Sequence, residues 1–588
     1  MLAHLSLAAL ALAWVIPFLE PRHFYPLASF YSEWEAMVLG LAALVLLATK
    51  RAWHDGLPAI MLVPLALAAL ILLQAALGYM PYFGQAWTPT LYLVWAALLI
   101  ALGAALKREL GMTKIVSVLA VCLVIGGELS ATIGTLQYFD ISTIFDSLIM
   151  PKIMGRTHGN FGQPNHFANY TALALISVAY LFASGRMRSV FAAAAATPLV
   201  LALGLSLSRS AWLYLAAAFV LALLLYGRHR DDKGRQLVIC GGLILLAFAL
   251  DQWLMALPWF APAASAPDAS DVSTATQRIL SQTGMGITIK WQHVRTAWWI
   301  FTQAPVLGVG WGQFAWHDFE FKALFGEVFA LGVTTHAHNL VTQLLAETGL
   351  AGTLLVAGGI LLWLWDLRAA KLDLDHWWLF AVLVTIGIHS MLEFPLWYAN
   401  FLGVAAVSLG LGATRVLPLR LQRIAPPAAA LLLVVGFFNA FALWHDYREF
   451  ERLFGAGPSS PLTDQMAAMV ARGQHDPVLE PYVELAIMEY VLVNRDELQD
   501  KLDVNSRAMH FRPGSAVVYR QALLLALNGQ VQEAHELFAR AMRIYPADLS
   551  NITGKLRRLI AHHPAEYAPL LELATAKAAE QRVPHAVK

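Results

Sequence analysis

Apolar runs of about 17 to 25 residues, the length that carries an α-helix across a hydrocarbon core of ~30 Å, recur from the start of the chain to about residue 445. About thirteen can be marked off: 3–19, 34–49, 57–79, 89–106, 115–136, 166–184, 189–206, 211–227, 236–255, 349–365, 377–393, 399–414 and 425–444. Beyond 445 the runs give way to mixed, charged sequence. The pattern predicts an all-α polytopic membrane protein with about 13 transmembrane helices over 1–445, followed by an α-helical domain over 446–588.

Composition agrees. The chain is 58% hydrophobic and 13% charged, with a mean hydropathy of +0.58, outside the range of an ordinary soluble domain. A net charge of +1 gives no case for nucleic acid. The placement of charge says more. Lys50 and Arg51, Lys107, Arg108 and Lys114, Arg186 and Arg188, Arg228 to Arg235, Arg368 and Lys371, and Arg415 to Arg423 occupy alternate loops, which the positive-inside rule makes cytoplasmic. The N-terminus is then cytoplasmic, and an odd number of spans puts 446–588 on the far side. The first run lacks a basic leader and a small-residue cleavage site, so it reads as a retained span. Cys122 and Cys240 fall within spans and read as packing material.

Two far-side loops are long, at 137–165 and 256–348. The second contains a Pro/Ala/Ser-rich segment, "APAASAPDASDVSTA", and then "TIKWQHVRTAWWIFTQA", where Trp291, Val294, Trp298 and Phe301 recur at helical spacing. That stripe suits either a helix lying in the headgroup layer, with Lys290 and Arg295 outside the apolar face, or a buried helix of the loop. In the C-terminal part, Gly529, Ala534, Phe538, Ala541 and Pro546 resemble half of a tetratricopeptide (TPR) repeat, and Ala508 with Pro513 suggests a degenerate second copy. Such a TPR-like domain is either a docking surface for a protein or a cap on the loops.

Four polar clusters from distant segments fall on the far side. They are "GRTHGNFGQPNHFANY" (155–170), "SLSRSAW" (206–212), "TTHAHNLVTQLLAETGLAG" (334–352) and "HSMLEFPLWYANF" (389–401). Polar groups beside lipid are costly and usually paired or functional. Each still has a plainer reading: Arg209 snorkelling to headgroups, Tyr398 in an aromatic belt, Gln163 capping a helix, His336 as a satisfied loop histidine. A metal site fits poorly, because no Asp, Glu or Cys lies near the His-x-His pair in sequence. The glycines of "PVLGVGWGQF" (305–314) lack the strand, helix and acidic residue of a dinucleotide fingerprint and read as points of close backbone approach.

"GNFGQPNHFANY", the arginine turn, "LGVGWGQF" with "HAHNLVTQLLAETGLAG", and "EFPLWYANFLG", in that order, resemble the O-antigen ligase superfamily. The Gln-Pro-Asn segment, the His-x-His-Asn loop and the extra C-terminal domain are most similar to PglL-type bacterial O-linked protein oligosaccharyltransferases, which glycosylate pilins. The resemblance implies transfer of a preassembled glycan from an undecaprenyl-diphosphate carrier to a pilin-like acceptor in the periplasm, at the inner membrane, without metal or cofactor. It implies His338 as the essential histidine, with roles for Gln163 and Tyr398. Arg209, with Lys290 or Arg295, would then meet diphosphate charge, and Asn165, His336 and Asn339 complete the candidate binding set. Ala337 stands between the histidines where a small polar residue is expected.

The expected mechanism is inverting, with neutral His338 as base, favoured by the positive end of a helix dipole. Rivals are attachment of glycan to lipid A core, polymerisation of repeat units, and transport. Transport finds little support in the placement of Glu128 and Asp251, both toward the outer ends of spans. If the tail docks a protein acceptor, deleting 446–588 should abolish pilin glycosylation while the protein still inserts; unchanged modification at equal membrane levels would contradict docking.

Overall fold

The computed structural model describes residues 1–152, 156–257, 285–326, 332–370, 372–419, 421–455, 473 and 476–582. It is nearly all helical; the sheet recorded among the described residues pairs Leu57–Pro58 antiparallel with Val416–Leu417. Every apolar run coincides with a helix. In order these are Leu2–Ala13, Phe30–Ala43, Leu62–Ala76, Gly84–Leu110, Met112–Tyr138, Pro164–Ala183, Ser189–Leu205, Ser210–His229, Asp232–Met255, Leu340–Asp366, Leu374–Ser390, Ala399–Gly412 and Ala425–Gly455. Among the described residues, 9 helical stretches are long and apolar enough to cross a membrane, while Leu2–Phe18, Ser189–Leu205 and Ala399–Gly412 are apolar but shorter. The chain is a multi-pass membrane protein. Ala399–Gly412 is preceded directly by a 3-10 turn at Pro395–Trp397.

Pro164–Ala183 is the central helix, buried over nearly its whole length. Glycines on Met112–Tyr138 permit the approach: a Cβ on Gly126 would sit 2.1 Å from the Tyr170 hydroxyl, and one on Gly127 would sit 2.3 Å from Ala174. At the end of the bundle away from the polar clusters, the basic loops are tied together. Arg108 pairs with Asp55 at 2.9 Å and Arg415 with Asp366 at 2.7 Å, beside the short sheet.

The helix expected from 349 instead begins at Leu340, so the preceding loop ends at 339. It is broken at Gly349 (φ 61°, ψ −160°). The glycine-rich turn splints the break: Val309 N–H donates to the Ala346 carbonyl (3.1 Å), Gly310 N–H to Glu347 (3.1 Å), Leu350 N–H to Pro305 (2.9 Å) and Ala351 N–H to Val306 (3.0 Å). Gly308 and Gly349 meet there, with no room for a side chain on either. The turn supplies partners for helical bonds lost at the break.

On the loop helix Met285–Gln303, Trp291 and Trp298 are exposed, whereas Gln292, His293 and Thr296 are buried. The apolar stripe therefore faces outward, which removes the buried-helix alternative. The Pro/Ala/Ser-rich segment lies outside the described residues. Ala425–Gly455 runs straight through the expected boundary at 445, with Tyr447 stacked on Phe30 at 3.5 Å. Farther on, Ser515–Leu527 and Val531–Ile544 form a helical pair around the positive-φ Gly529, with Ala508, Ala534, Phe538 and Ala541 fully buried. Phe319 and Ala323, from the loop helix Phe314–Phe325, belong to the same core, so the large loop is packed into the C-terminal helices.

Gly349→Ala should lower the melting temperature in detergent, since it combines a positive φ, worth about 1–3 kcal/mol of strain, with a Cβ 2.5 Å from the Val306 carbonyl oxygen. Gly358→Ala on the same helix, where a Cβ meets nothing within 4 Å, should melt no lower than the parent protein. Equal melting of all three would contradict the splint.

Candidate active site

The four polar clusters meet. Glu393, in the turn after Leu374–Ser390, accepts from His338 Nδ1 on one carboxylate oxygen (2.8 Å) and from Asn165 Nδ2 on the other (2.8 Å). Asn165, in the first turn of Pro164–Ala183, accepts in turn from the Ser208 hydroxyl (2.8 Å), which contacts Ser210 (2.8 Å). One hydrogen-bond chain thus links segments 155–170, 206–212, 334–352 and 389–401. Because a carboxylate only accepts, the Asn165 amide must turn its NH₂ toward Glu393 and its oxygen toward Ser208. Burial pushes the Glu393 carboxyl up, but the His338 and Asn165 bonds outweigh it, leaving it below the usual carboxylate range.

His338 sits at φ 53°, a left-handed conformation costly for a residue with a side chain. A helix cap and a loop tie flank it. Asn339 accepts from the Val341 and Thr342 N–H groups (both 3.1 Å) and donates to the Met391 carbonyl (3.1 Å), joining the helix start to the turn that carries Glu393. Gln343 accepts from Ala337 N–H at 2.6 Å. The His338 Nδ1 faces the Glu393 carboxylate, which in the neutral ring that a base requires fixes the proton on Nδ1. Nε2 is then the acceptor. His338 also stacks on His293 (5.2 Å), whose imidazole burial and His338 together push down to about 4.

The other candidates separate. His336 lies flat on Phe394 (4.2 Å, 8°), with Nδ1 at 2.9 Å from Thr335 Oγ1, and burial pushes it down to about 3, too low for an effective base. Gln163 uses its side-chain oxygen to cap Pro164–Ala183, accepting from His166 N–H at 2.7 Å, with its NH₂ left to donate to a ligand. The Tyr398 ring packs against His166 (4.9 Å) and Phe394 (5.9 Å), burial raises its hydroxyl, and it forms the wall behind the carboxylate turn. Arg209 immediately precedes Ser210–His229 and is half-buried. Lys290 feels both sides of the site: partial burial lowers its ammonium, Glu393 opposes this and Arg209 adds to it. Arg295 is exposed farther along the same helix.

Glu393 and His293 are the residues that sequence reasoning left without roles. The signal for Glu393 was a carboxylate at the head of the aromatic turn "EFPLWYANF"; His293 had none, being one polar residue beneath a tryptophan stripe.

Three families match this chain along its length: protein glycosylation ligase over 158–182, O-antigen ligase over 192–357, and the C-terminal region of virulence factor membrane-bound polymerase over 377–555. Their segments contribute Asn165, then Ser208 and His338, then Glu393 to one site. The general O-oligosaccharyltransferase of Acinetobacter baylyi (strain ATCC 33305 / BD413 / ADP1) is 23% identical over 450 residues, 75% of each chain. The chain resembles the O-antigen ligase superfamily and, within it, the protein glycosylation ligases. The similarity supports glycosyltransferase activity.

In a glycosyltransferase built on this pair, Glu393→Gln keeps the shape but puts an NH₂ or a weaker acceptor against His338 Nδ1. Turnover should fall about 10²–10⁴-fold, with expression and melting close to the parent protein. A loss under tenfold would mean that Glu393 is only scaffold.

Proposed function

We propose that this protein transfers a preassembled glycan from an undecaprenyl-diphosphate carrier to serine or threonine hydroxyls of periplasmic proteins such as pilins, with inversion at the anomeric carbon. The observation that carries the reading is the His338–Glu393 pair at 2.8 Å, tied through Asn165 to the turn that holds Arg209. His338 Nε2 takes the proton of the acceptor hydroxyl as its oxygen attacks the anomeric carbon. The bond from that carbon to the diphosphate breaks, and the leaving group departs with both electrons. Arg209 and Lys290 meet its charge, and Gln163, Asn339 and Tyr398 shape the carrier or acceptor site. No nucleotide or metal enters the step.

In this reading the site is periplasmic, in the inner membrane, with thirteen crossings and a cytoplasmic N-terminus. Support comes from the helices themselves: Leu340–Asp366 starts at the site and ends beside Arg368, and Ser210–His229 starts at Arg209 and ends at Arg228. The C-terminal helices form the TPR-like acceptor-docking domain. The match to a membrane-bound polymerase favours a second reading in which the acceptor hydroxyl is that of a growing glycan; the chemistry at His338 is unchanged.

His338→Ala should abolish transfer, about 10²–10⁴-fold, while leaving carrier bound. Arg209→Ala should also weaken carrier binding, by roughly 1.5–3 kcal/mol for a charged contact. Turnover and carrier affinity of purified protein separate the two, and near-normal turnover in His338→Ala would overturn the assignment. Intact-mass analysis of periplasmic proteins and lipopolysaccharide, with and without this chain, identifies the acceptor as the class that loses its sugar.

A further inference from the structure

A cavity of about 530 Å³, within the ~300–1,000 Å³ of small-molecule sites, stands beside the His338–Glu393 pair with Phe394 as the partition. His336 stacks on Phe394 and lines the cavity, while His338 meets the edge of the Phe394 ring at 5.2 Å. The cavity follows Gly84–Leu110 from Gln85 to Ile100, a run that at ~1.5 Å per residue covers about 22 Å of the ~30 Å hydrocarbon depth. Its deep wall is apolar: Val63, Leu67, Leu93, Ile360, Leu402 and Leu409. A peptide could not satisfy its backbone at that depth, whereas a hydrocarbon chain has nothing to satisfy.

The outer end differs. Gln85 is 8% exposed, lines the cavity, and has no hydrogen-bond partner for either amide atom among the described residues. Arg512, which follows Leu498–Phe511 in the C-terminal helices, lines the same mouth together with Tyr482 and Phe511. Its charge is felt by His336 and Tyr482, and its side chain makes no hydrogen bond or ion pair with a described residue. The carboxyl groups on the cavity wall are already engaged: Glu33 accepts from Ala399 N–H (2.7 Å) and the Tyr92 hydroxyl (3.0 Å), and Glu347 accepts from Phe314 N–H (3.2 Å). An unsatisfied amide and a guanidinium above a long apolar shaft fit an anionic phosphate head on a hydrocarbon tail.

We propose that this cavity binds a phosphate-bearing lipid, its tail along Gly84–Leu110 and its head held by Gln85 and by Arg512 of the C-terminal helices. Those helices then form one wall of a lipid site as well as any surface for an acceptor. The chemistry is shared by the polyprenyl phosphate of the carrier and by an anionic phospholipid. The inference goes beyond the transferase reading, because binding is read without turnover.

The test is native mass spectrometry of the delipidated full-length protein, titrated separately with undecaprenyl phosphate, phosphatidylglycerol and phosphatidylcholine. At least one anionic lipid should bind in preference to phosphatidylcholine. Arg512→Ala should weaken it about tenfold or more, with Arg512→Lys retaining most of the affinity. Leu93→Trp, which fills the shaft, should also weaken binding, with Ile360→Trp as the second blocking variant if the first does not fold. Tighter undecaprenyl phosphate assigns the site to the carrier, and tighter phosphatidylglycerol assigns it to a bilayer lipid. Phosphatidylcholine bound as tightly as either, or a loss with Arg209→Ala but none with Arg512→Ala or the blocking variants, overturns the proposal. A protein that binds lipid in this way yet transfers nothing fails the transferase reading and leaves this one standing.

Discussion

The Glu393 carboxylate is the constraint on which the site depends. A charge taken out of water beside lipid has to be neutralised or fully hydrogen-bonded, and Glu393 has two oxygens to satisfy, with His338 and Asn165 as their partners. Those partners come from different segments, the loop leading into Leu340–Asp366 and the first turn of Pro164–Ala183, so satisfying one charge fixes their positions relative to the turn after Leu374–Ser390. The same bonds orient His338. Structure and chemistry therefore share one interaction, and the Asn339 bond to the Met391 carbonyl repeats the tie one residue away.

A second constraint places His338 at the right height. The helix behind it breaks at Gly349, and a break in a span exposes carbonyls that lipid cannot satisfy. The turn 305–312 supplies partners from its backbone, which is why glycine recurs there, and the Gln74 amide adds a bond to the Glu347 carbonyl at 2.7 Å. The large loop is thereby anchored between the broken helix and the C-terminal core that receives Phe319 and Ala323.

Much of this was legible in the sequence. Length and apolarity marked the long apolar helices, because helices that cross a membrane are selected by hydrocarbon thickness. The polar clusters stood out for the same reason, since each is conspicuous against a greasy background. Pairings were not legible. Nothing local distinguishes Glu393 as the partner of His338 rather than of His389, or shows that the Gln163 oxygen is spent on a cap. Helix ends moved most: Leu340 was hidden by the polar residues Gln343, Glu347 and Thr348, which are buried against protein and so do not need to be apolar. The outward tryptophan stripe was visible, but its direction depended on what packs beneath it, including His293.

The central claim is that His338 and Glu393 act as one unit. A double-mutant cycle on turnover measures this directly, with purified protein carrying His338→Ala, Glu393→Gln and both together. Once His338 is gone, Glu393 has nothing left to orient, so the double variant should be no slower than His338→Ala alone. Losses that multiply across the two positions would mean that the residues act independently and would contradict the pair as the site's working element.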